Sequence, residues 1–155
     1  RRLPYEESVR TPLLMRYPKL VAPNTKVGSS VVSIDLAPTI LDVAGVSIPK
    51  HVQGKSLTPL MKGEADKIHD AILIEFYSHE NPFLWTAKLD YRIVRKGKYK
   101  LIRWIRFEDE AELYDMESDP YELNNLVADT DMAPVVQDLK ERMRQLVLES
   151  LGLNN

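Results

Sequence analysis

Three histidines are the side chains best suited to acid–base or metal chemistry near neutral pH, and they lie far apart at His51, His69 and His79. Their spacing matches no helical metal pair, and the absence of cysteine excludes a thiolate zinc site and a cysteine nucleophile within the chain. His51 and His69 lie in loop sequence, where we expect solvated side chains. We therefore predict no metal-binding residues in this chain.

His79 has the context most typical of a site, because it opens a polar and aromatic loop after an apolar strand. Loops at strand ends often carry binding residues, and an imidazole can donate a hydrogen bond to an anionic substrate. The alternative is an ordinary surface loop with a partly buried Trp85, and the residues themselves favour neither interpretation.

The sequence motifs of several other classes of active site are absent. The chain has no glycine-rich phosphate loop, no Gly-x-Ser-x-Gly elbow and no Ser–His–Asp order with a supporting context. Its 155 residues carry a net charge of −2, and no apolar run approaches the roughly 20 residues that cross a bilayer. We therefore expect neither nucleic acid nor a membrane as a partner.

One stretch nevertheless resembles a nucleic-acid platform, because residues 88–106 contain eight basic side chains interleaved with aromatic ones and opposed only by Asp90. Residues 108–122 then contain eight acids and no base. A basic hairpin followed by an acidic strand is typical of neighbouring strands that pair opposite charges on a solvated face, and we favour that interpretation.

The first half of the chain has two predicted elements. The apolar run 12–17 predicts a strand buried on both faces. A short buried helix follows, capped by Ser33 or Asp35 and ended by Gly45. Its predicted core face consists of Leu36, Ile40 and Val43.

The second half predicts an antiparallel sheet and a long helix. An apolar strand at 71–77 precedes a hairpin at 91–95 and 99–106, and a further strand follows at 112–115. Apolar residues at three-to-four spacing then predict a helix over 132–151, capped by Thr130 or Asp131. The expected fold class is α+β, with about four antiparallel strands packed by a C-terminal helix.

Five segments, in order along the chain, resemble motifs of the arylsulfatase-type sulfatases of the alkaline-phosphatase-like superfamily. They are residues 5–14, 35–45 (Asp-x-x-Pro-Thr and Ala-Gly), 53–57 (Gln-Gly-x-Ser-Leu), 95–102 and 112–126. Each segment alone is a weak signal, but together they cover nearly the whole chain. The resemblance implies the last strand and helix of an α/β catalytic domain in residues 1–62, followed by the sulfatase C-terminal subdomain in 63–155.

The resemblance also implies an activity, the hydrolysis of aryl or carbohydrate sulfate esters. Such enzymes use a formylglycine nucleophile beside a calcium ion, and the motifs that supply both are absent from this sequence. We therefore expect a C-terminal fragment that is inactive alone and completes the fold and substrate cleft of its upstream catalytic domain. Two alternatives stay open, a phosphonate or phosphate ester hydrolase of the same superfamily and a standalone glycan-binding module.

Four residues are candidates for the site on the strength of this resemblance. Arg1 stands where the family has a sulfate-contacting lysine, and its guanidinium could bind an oxyanion through two parallel hydrogen bonds. His79, Glu80 and Trp85 are the expected substrate contacts, with Trp85 as a stacking face for a sugar or aryl ring.

Three further expectations follow from the same resemblance. The substrate would be a sulfated small molecule or glycan, and the complete protein would be periplasmic or secreted. Glu6 and Arg10 are expected to form a structural ion pair or hydrogen bond instead of acting in catalysis.

Overall fold

A computed structural model of the protein describes residues 3–78, 89–107 and 110–153, which fall into two compact units. One unit is Leu13–Asp70, and the other combines the chain up to Pro12 with the chain from Ala71 onward. The helices and strands are α1 (Glu6–Val9), α2 (Leu36–Val43), α3 (Thr58–Lys62), β1 (Ala71–Phe76), β2 (Tyr91–Lys96), β3 (Tyr99–Trp104), β4 (Ala111–Asp115) and α4 (Ala133–Ser150).

The four strands form one antiparallel sheet in the order β1-β2-β3-β4, which confirms the predicted α+β class. The β2–β3 hairpin closes through Gly97, whose φ of 57° is the left-handed conformation that such a tight turn requires. Because side chains alternate across a strand, the sheet presents two faces with different covers.

Helix α4 covers one face of the sheet. Val94, Leu101 and Leu113 lie in register on adjacent strands and pack with Leu139 and Met143 of the helix. Burying an aliphatic side chain of this size contributes roughly 1.5–3 kcal/mol relative to leaving it exposed. The predicted three-to-four spacing of the helix therefore identified its core side correctly.

The residues that begin α4 differ slightly from the predicted caps. A short 3₁₀ turn, Thr130–Met132, precedes the helix, and the carboxylate of Asp129 accepts a hydrogen bond from the backbone N–H of Asp131 at 2.9 Å. The capping side chain is thus one residue earlier than Thr130, because the 3₁₀ turn extends the helical path at its N-terminal end.

The N-terminal segment covers part of the opposite face. Tyr5 and Val9 pack beside a buried cluster on the strands whose members are Tyr91, Ile93, Ile102 and Tyr114. The backbone N–H of Arg10 donates a hydrogen bond to the carbonyl oxygen of Glu6 at 2.9 Å, but the alternative of an ion pair between them is not formed, since the carboxylate of Glu6 contacts Lys100 at 3.1 Å and Arg95 at 3.4 Å. Glu6 faces the sheet at the start of α1, and the sheet supplies closer cations than its own helix does.

In the unit Leu13–Asp70, two of the motifs that carry the family resemblance contact each other. The buried carboxylate of Asp35 accepts hydrogen bonds from the backbone N–H of Val32 at 2.9 Å and of Lys55 at 2.8 Å. The hydroxyl of Thr39 accepts another from the N–H of Leu57 at 2.8 Å. The 53–57 segment is therefore held against the N-terminal end of α2 by side chains of the 35–45 segment.

His69 belongs to the same cluster, so its predicted solvated position is wrong. Its Nε2 lies 2.9 and 3.0 Å from the two carboxylate oxygens of Asp35, and its side chain is only 14% exposed. Asp35 itself is fully buried. The cluster is structural, because its hydrogen bonds hold Lys55, Leu57 and His69 against the N-terminal end of α2.

Two predicted buried faces are exposed in this unit. The run 12–17 pairs with no strand in the described part of the chain, and Leu14 is 93% exposed. Helix α2 buries Pro38 and Thr39, whereas Ile40, on its predicted core face, is 67% exposed. These apolar side chains stay exposed because no described part of the chain packs over them.

Candidate functional site

All four candidate site residues, Arg1, His79, Glu80 and Trp85, lie outside the described residues, so their roles stay predictions. The structure does describe the two ends of the loop that contains three of them. Ser78 and Asp90 flank this loop, and their contacts determine where it leaves and rejoins the sheet.

Asp90 joins the two ends of the loop. Its Oδ1 accepts hydrogen bonds from the backbone N–H of Ser78 at 2.7 Å and from the Ser78 hydroxyl at 2.6 Å. Its Oδ2 accepts a third from Nε of Arg106 at 2.6 Å, and its carbonyl oxygen accepts one from the N–H of Ile105. Ser78 and Asp90 are both buried, so the base of the loop is a fixed, desolvated anchor.

The electrostatics of this anchor favour the ionised carboxylate. Burial by itself would raise the pKa of Asp90, but the hydrogen bonds from Ser78 and Arg106 together outweigh burial and lower the pKa to about 2. A carboxylate with a lowered pKa stabilises the folded state at every pH above its ordinary value, and that contribution is lost as the pH falls through the folded pKa.

We expect Asp90→Asn to destabilise the chain at neutral pH but progressively less in acid. The difference between wild type and variant should shrink as the pH falls from the ordinary carboxyl pKa of 3.8 towards about 2, because wild-type Asp90 becomes protonated over that range. Urea unfolding at several pH values measures this difference. Ser78→Ala is the matched variant, since it keeps the carboxylate but removes one donor, so its acid-dependent loss of stability should be smaller and should be complete at a higher pH.

A second polar network lies at the end of β1 beside the same loop. The guanidinium of Arg92 donates from Nε to Glu75 at 2.7 Å and from Nη2 to the hydroxyl of Tyr77 at 2.8 Å. That hydroxyl in turn donates to Glu75 at 2.9 Å. Because all three groups are partly exposed, the network could present Tyr77 to a ligand while keeping its orientation.

Sequence reasoning missed both networks as site components, although signals for them existed. Asp90 is the one acid within the basic stretch 88–106, which already marks it as a residue with several potential partners. Glu75 and Arg92 occupy facing positions on β1 and β2. That pairing becomes visible only when the strand register is known.

A calcium site needs several oxygen ligands gathered at one point. Among residues 3–78, 89–107 and 110–153, no group of three or more His, Asp or Glu side chains is close enough to hold an ion. The described residues therefore do not fit the calcium site that the sulfatase resemblance implies for the complete enzyme. None of the helices in those same ranges is long and apolar enough to span a bilayer.

Comparison with protein families gives a match along almost the full chain. The family model described as N-sulphoglucosamine sulphohydrolase, C-terminal, matches residues 1–149. The chain therefore belongs to this family of sulfatase C-terminal domains, as the resemblance predicted.

Two curated relatives are sulfatases. N-acetylglucosamine-6-O-sulfatase of Bacteroides thetaiotaomicron is 35% identical over 94% of this chain and 26% of its own length. Arylsulfatase K of Mus musculus is 33% identical over 92% of this chain and 26% of its own length. The chain thus spans about a quarter of the length of the curated relatives that it matches.

Solved structures show the same fold. A protein whose structure was solved in complex with its substrate D-glucosamine-2-N,6-O-disulfate superposes with a TM-score of 0.85 at 32% identity, covering 99% of this chain and 31% of that one. The phosphonate monoester hydrolase of Agrobacterium radiobacter superposes with a TM-score of 0.64 at 26% identity, covering 75% of this chain and 24% of that one.

Proposed function

We propose that this chain acts as the C-terminal part of an enzyme that hydrolyses sulfate esters of aryl or carbohydrate compounds. The observation that carries the proposal is the family match over residues 1–149, reinforced by the superposition on a substrate-bound structure over 99% of the chain. In this proposal, residues 1–62 complete the catalytic domain and residues 63–155 form the C-terminal subdomain.

The exposed apolar side chains of the unit Leu13–Asp70 support a larger folded protein. Leu14 is 93% exposed and Ile40 is 67% exposed, although both belong to patterns that normally face a core. We propose that these side chains pack against an upstream catalytic domain of the same polypeptide. Contact with such a domain would remove this apolar surface from water at a gain of about 25 cal/mol per Å².

The chain's own contribution to catalysis would be substrate binding. The loop that begins at His79 follows the buried Ser78–Asp90 anchor, so hydrogen bonds shielded from water hold its two ends together. We propose that His79 and Glu80 bind polar groups of the substrate, that Trp85 stacks on its ring, and that Arg1 binds sulfate oxygens. Arginine suits the last role because its planar guanidinium matches an oxyanion with two parallel donors.

The chemistry of bond cleavage would come from the rest of the protein. The resemblance implies a formylglycine nucleophile and a calcium ion, and in this proposal both belong to the upstream domain, because the chain has no cysteine and its described residues do not fit a metal site. When bound, calcium would offset negative charge on the sulfate. We also propose a periplasmic or secreted location for the complete protein.

Turnover of matched esters tests the proposed function. The intact protein should hydrolyse an aryl sulfate faster than the corresponding aryl phosphonate, and the purified 155-residue chain should hydrolyse neither. The phosphonate ester is included because the chain also superposes on a phosphonate monoester hydrolase. Preference for that ester would favour the second candidate function, and turnover by the isolated chain would contradict the proposal.

We expect Trp85→Ala and His79→Ala in the intact protein to lower kcat/KM by about tenfold or more, since each removes a substrate contact. Thermal unfolding should change little, because the proposal assigns both side chains to substrate binding. The matched control is His51→Ala, in an exposed loop of the other unit, which should leave both quantities unchanged. Equal losses of stability and activity in the loop variants would instead favour a packing role.

A further inference from the structure

The expected pairing of basic and acidic side chains does not occur at the facing positions of β3 and β4, none of which joins a base to an acid, and one row of the sheet brings bases together. On the face that carries α4, Arg103 of β3 lies between Arg92 of β2 and Ala111 of β4. Two guanidinium groups are therefore cross-strand neighbours, an arrangement that is unfavourable unless an anion lies nearby. This row lies on the same face of the sheet as the apolar core residues Val94, Leu101 and Leu113, two residues away along each strand.

Helix α4 brings two more cations to this row. Lys140 and Arg144 lie one turn apart and line a cavity of about 140 Å³ together with Arg92 and Arg103. The rest of its lining is apolar and consists of Met143, Val147 and Leu148. An adjoining cavity of about 130 Å³ shares Arg103 and Lys140 and is also lined by Glu110 and Ala111.

The charges around these cavities are only partly neutralised. Glu75 pairs with Arg92 at 2.7 Å, and Glu141 pairs with Arg144 at 2.8 Å. Within residues 3–78, 89–107 and 110–153, Arg103 and Lys140 form no ion pair, and Glu110 is within ion-pair distance of neither. Among the described residues, Arg103 and Lys140 therefore offer unpaired donors above an apolar floor.

We propose that this cleft between β3 and α4 binds a sulfated glycan chain, with Arg103 and Lys140 contacting sulfate groups. The apolar floor of Met143, Val147 and Leu148 favours a ligand with a ring face over a bare inorganic anion. The choice of sulfate as the anion rests on the proposed function. Its described lining residues belong to β2, β3 and α4, and one of them, Arg92, also contacts Tyr77 just before the loop at 79–88, so the cleft would extend the glycan-binding surface beyond that loop.

The binding constant of a defined sulfated hexasaccharide for the intact protein tests this inference. Arg103→Gln with Lys140→Gln should weaken binding by about tenfold, since two exposed charge-assisted contacts are lost. Lys50→Gln with Lys67→Gln removes the same formal charge from exposed positions of the other unit, and it should change binding by less than about twofold. Turnover of a small aryl sulfate should be the same in all three proteins.

Three results would overturn the inference. They are unchanged hexasaccharide binding in the Arg103/Lys140 variant, an equal loss in the Lys50/Lys67 variant, and a parallel loss for a single-stranded oligonucleotide of equal charge, which would indicate a general polyanion surface. Binding of the desulfated hexasaccharide should be weak in every protein. If the intact protein hydrolysed no sulfate ester but the variant-sensitive binding persisted, the proposed function would fail and this site would stand.

Discussion

Lys100→Met is expected to lower the free energy of unfolding by about 3–5 kcal/mol, the range typical of removing one partner from a buried ion pair. The side chain of Lys100 is 1% exposed, and its Nζ lies 2.7 Å from Oε1 of Glu122 and 3.1 Å from Oε1 of Glu6. That Oε1 of Glu122 has no hydrogen-bond partner among the described residues apart from this ionic contact. Without the lysine, two carboxylates would face each other away from water.

A matched lysine on the same hairpin separates burial from charge. Lys98 contacts Asp115 at 2.6 Å but is 40% exposed, so Lys98→Met should cost much less free energy of unfolding than Lys100→Met. Adding Glu122→Gln to Lys100→Met should recover part of the loss, because the amide keeps an acceptor for the backbone N–H of Glu6 and removes one charge. Urea unfolding measures all three variants.

Hydrogen exchange locates the effect. The backbone N–H of Glu6 donates to Oε2 of Glu122 at 2.6 Å, so the ion cluster also holds the N-terminal segment on the sheet. The amides of α1 should therefore exchange faster in Lys100→Met than in Lys98→Met. If both lysine variants unfolded alike, the cluster would contribute no more than an ordinary surface pair.

Gly54→Ala is expected to cost at least about 2 kcal/mol, because it combines an unfavourable backbone conformation with a steric overlap. Gly54 has a φ of +88°, and a Cβ there would overlap the carbonyl of Ile34 and lie 3.0 Å from the N–H nitrogen of Asp35. Those neighbours are backbone atoms at the start of α2, so they cannot move aside without displacing the helix end. The hydrogen bond from Lys55 to Asp35 would be disrupted with them.

Two other glycines separate these contributions. Gly45 has a φ of +70°, and no atom of the described residues lies within 4 Å of the position that a Cβ would take, so Gly45→Ala should cost only the conformational part, about 1 kcal/mol. Gly28 has neither a positive φ nor a close neighbour in that part of the chain, and Gly28→Ala should be neutral or slightly stabilising. Thermal unfolding of the three variants should follow this order. A Gly54 variant as stable as the Gly45 variant would show that the loop can move away from α2.

Local patterns predicted the sheet and the long helix because their signals act over a few residues. Alternating and apolar runs around Gly97 predicted the hairpin, and the spacing of Leu139 and Met143 predicted the buried side of α4. The family motifs were equally readable, since they are short segments in a fixed order. The fold class and the family could therefore be derived without coordinates.

The candidate site was less accessible to sequence reasoning. The loop after β1 was identified from its position and its polar and aromatic residues, and the roles of its members stay predictions. Its anchor was not identified, because Ser78 and Asp90 are separated by 12 residues and meet only when β1 and β2 pair. The pairing of Arg92 with Arg103 likewise depends on strand register, because a shift of one residue would place one of these side chains on the other face of the sheet.

The amino-acid sequence thus sufficed for elements, fold class and family, because backbone propensity and hydrophobic period are local properties. Burial and charge pairing depended on the tertiary structure, since they are set by residues far apart in the chain. His69 is held in a largely buried position by Asp35, 34 residues away, and Glu6 is paired with Lys100, 94 residues away. Ile40 is exposed despite its pattern, because an apolar face is buried only where another surface covers it.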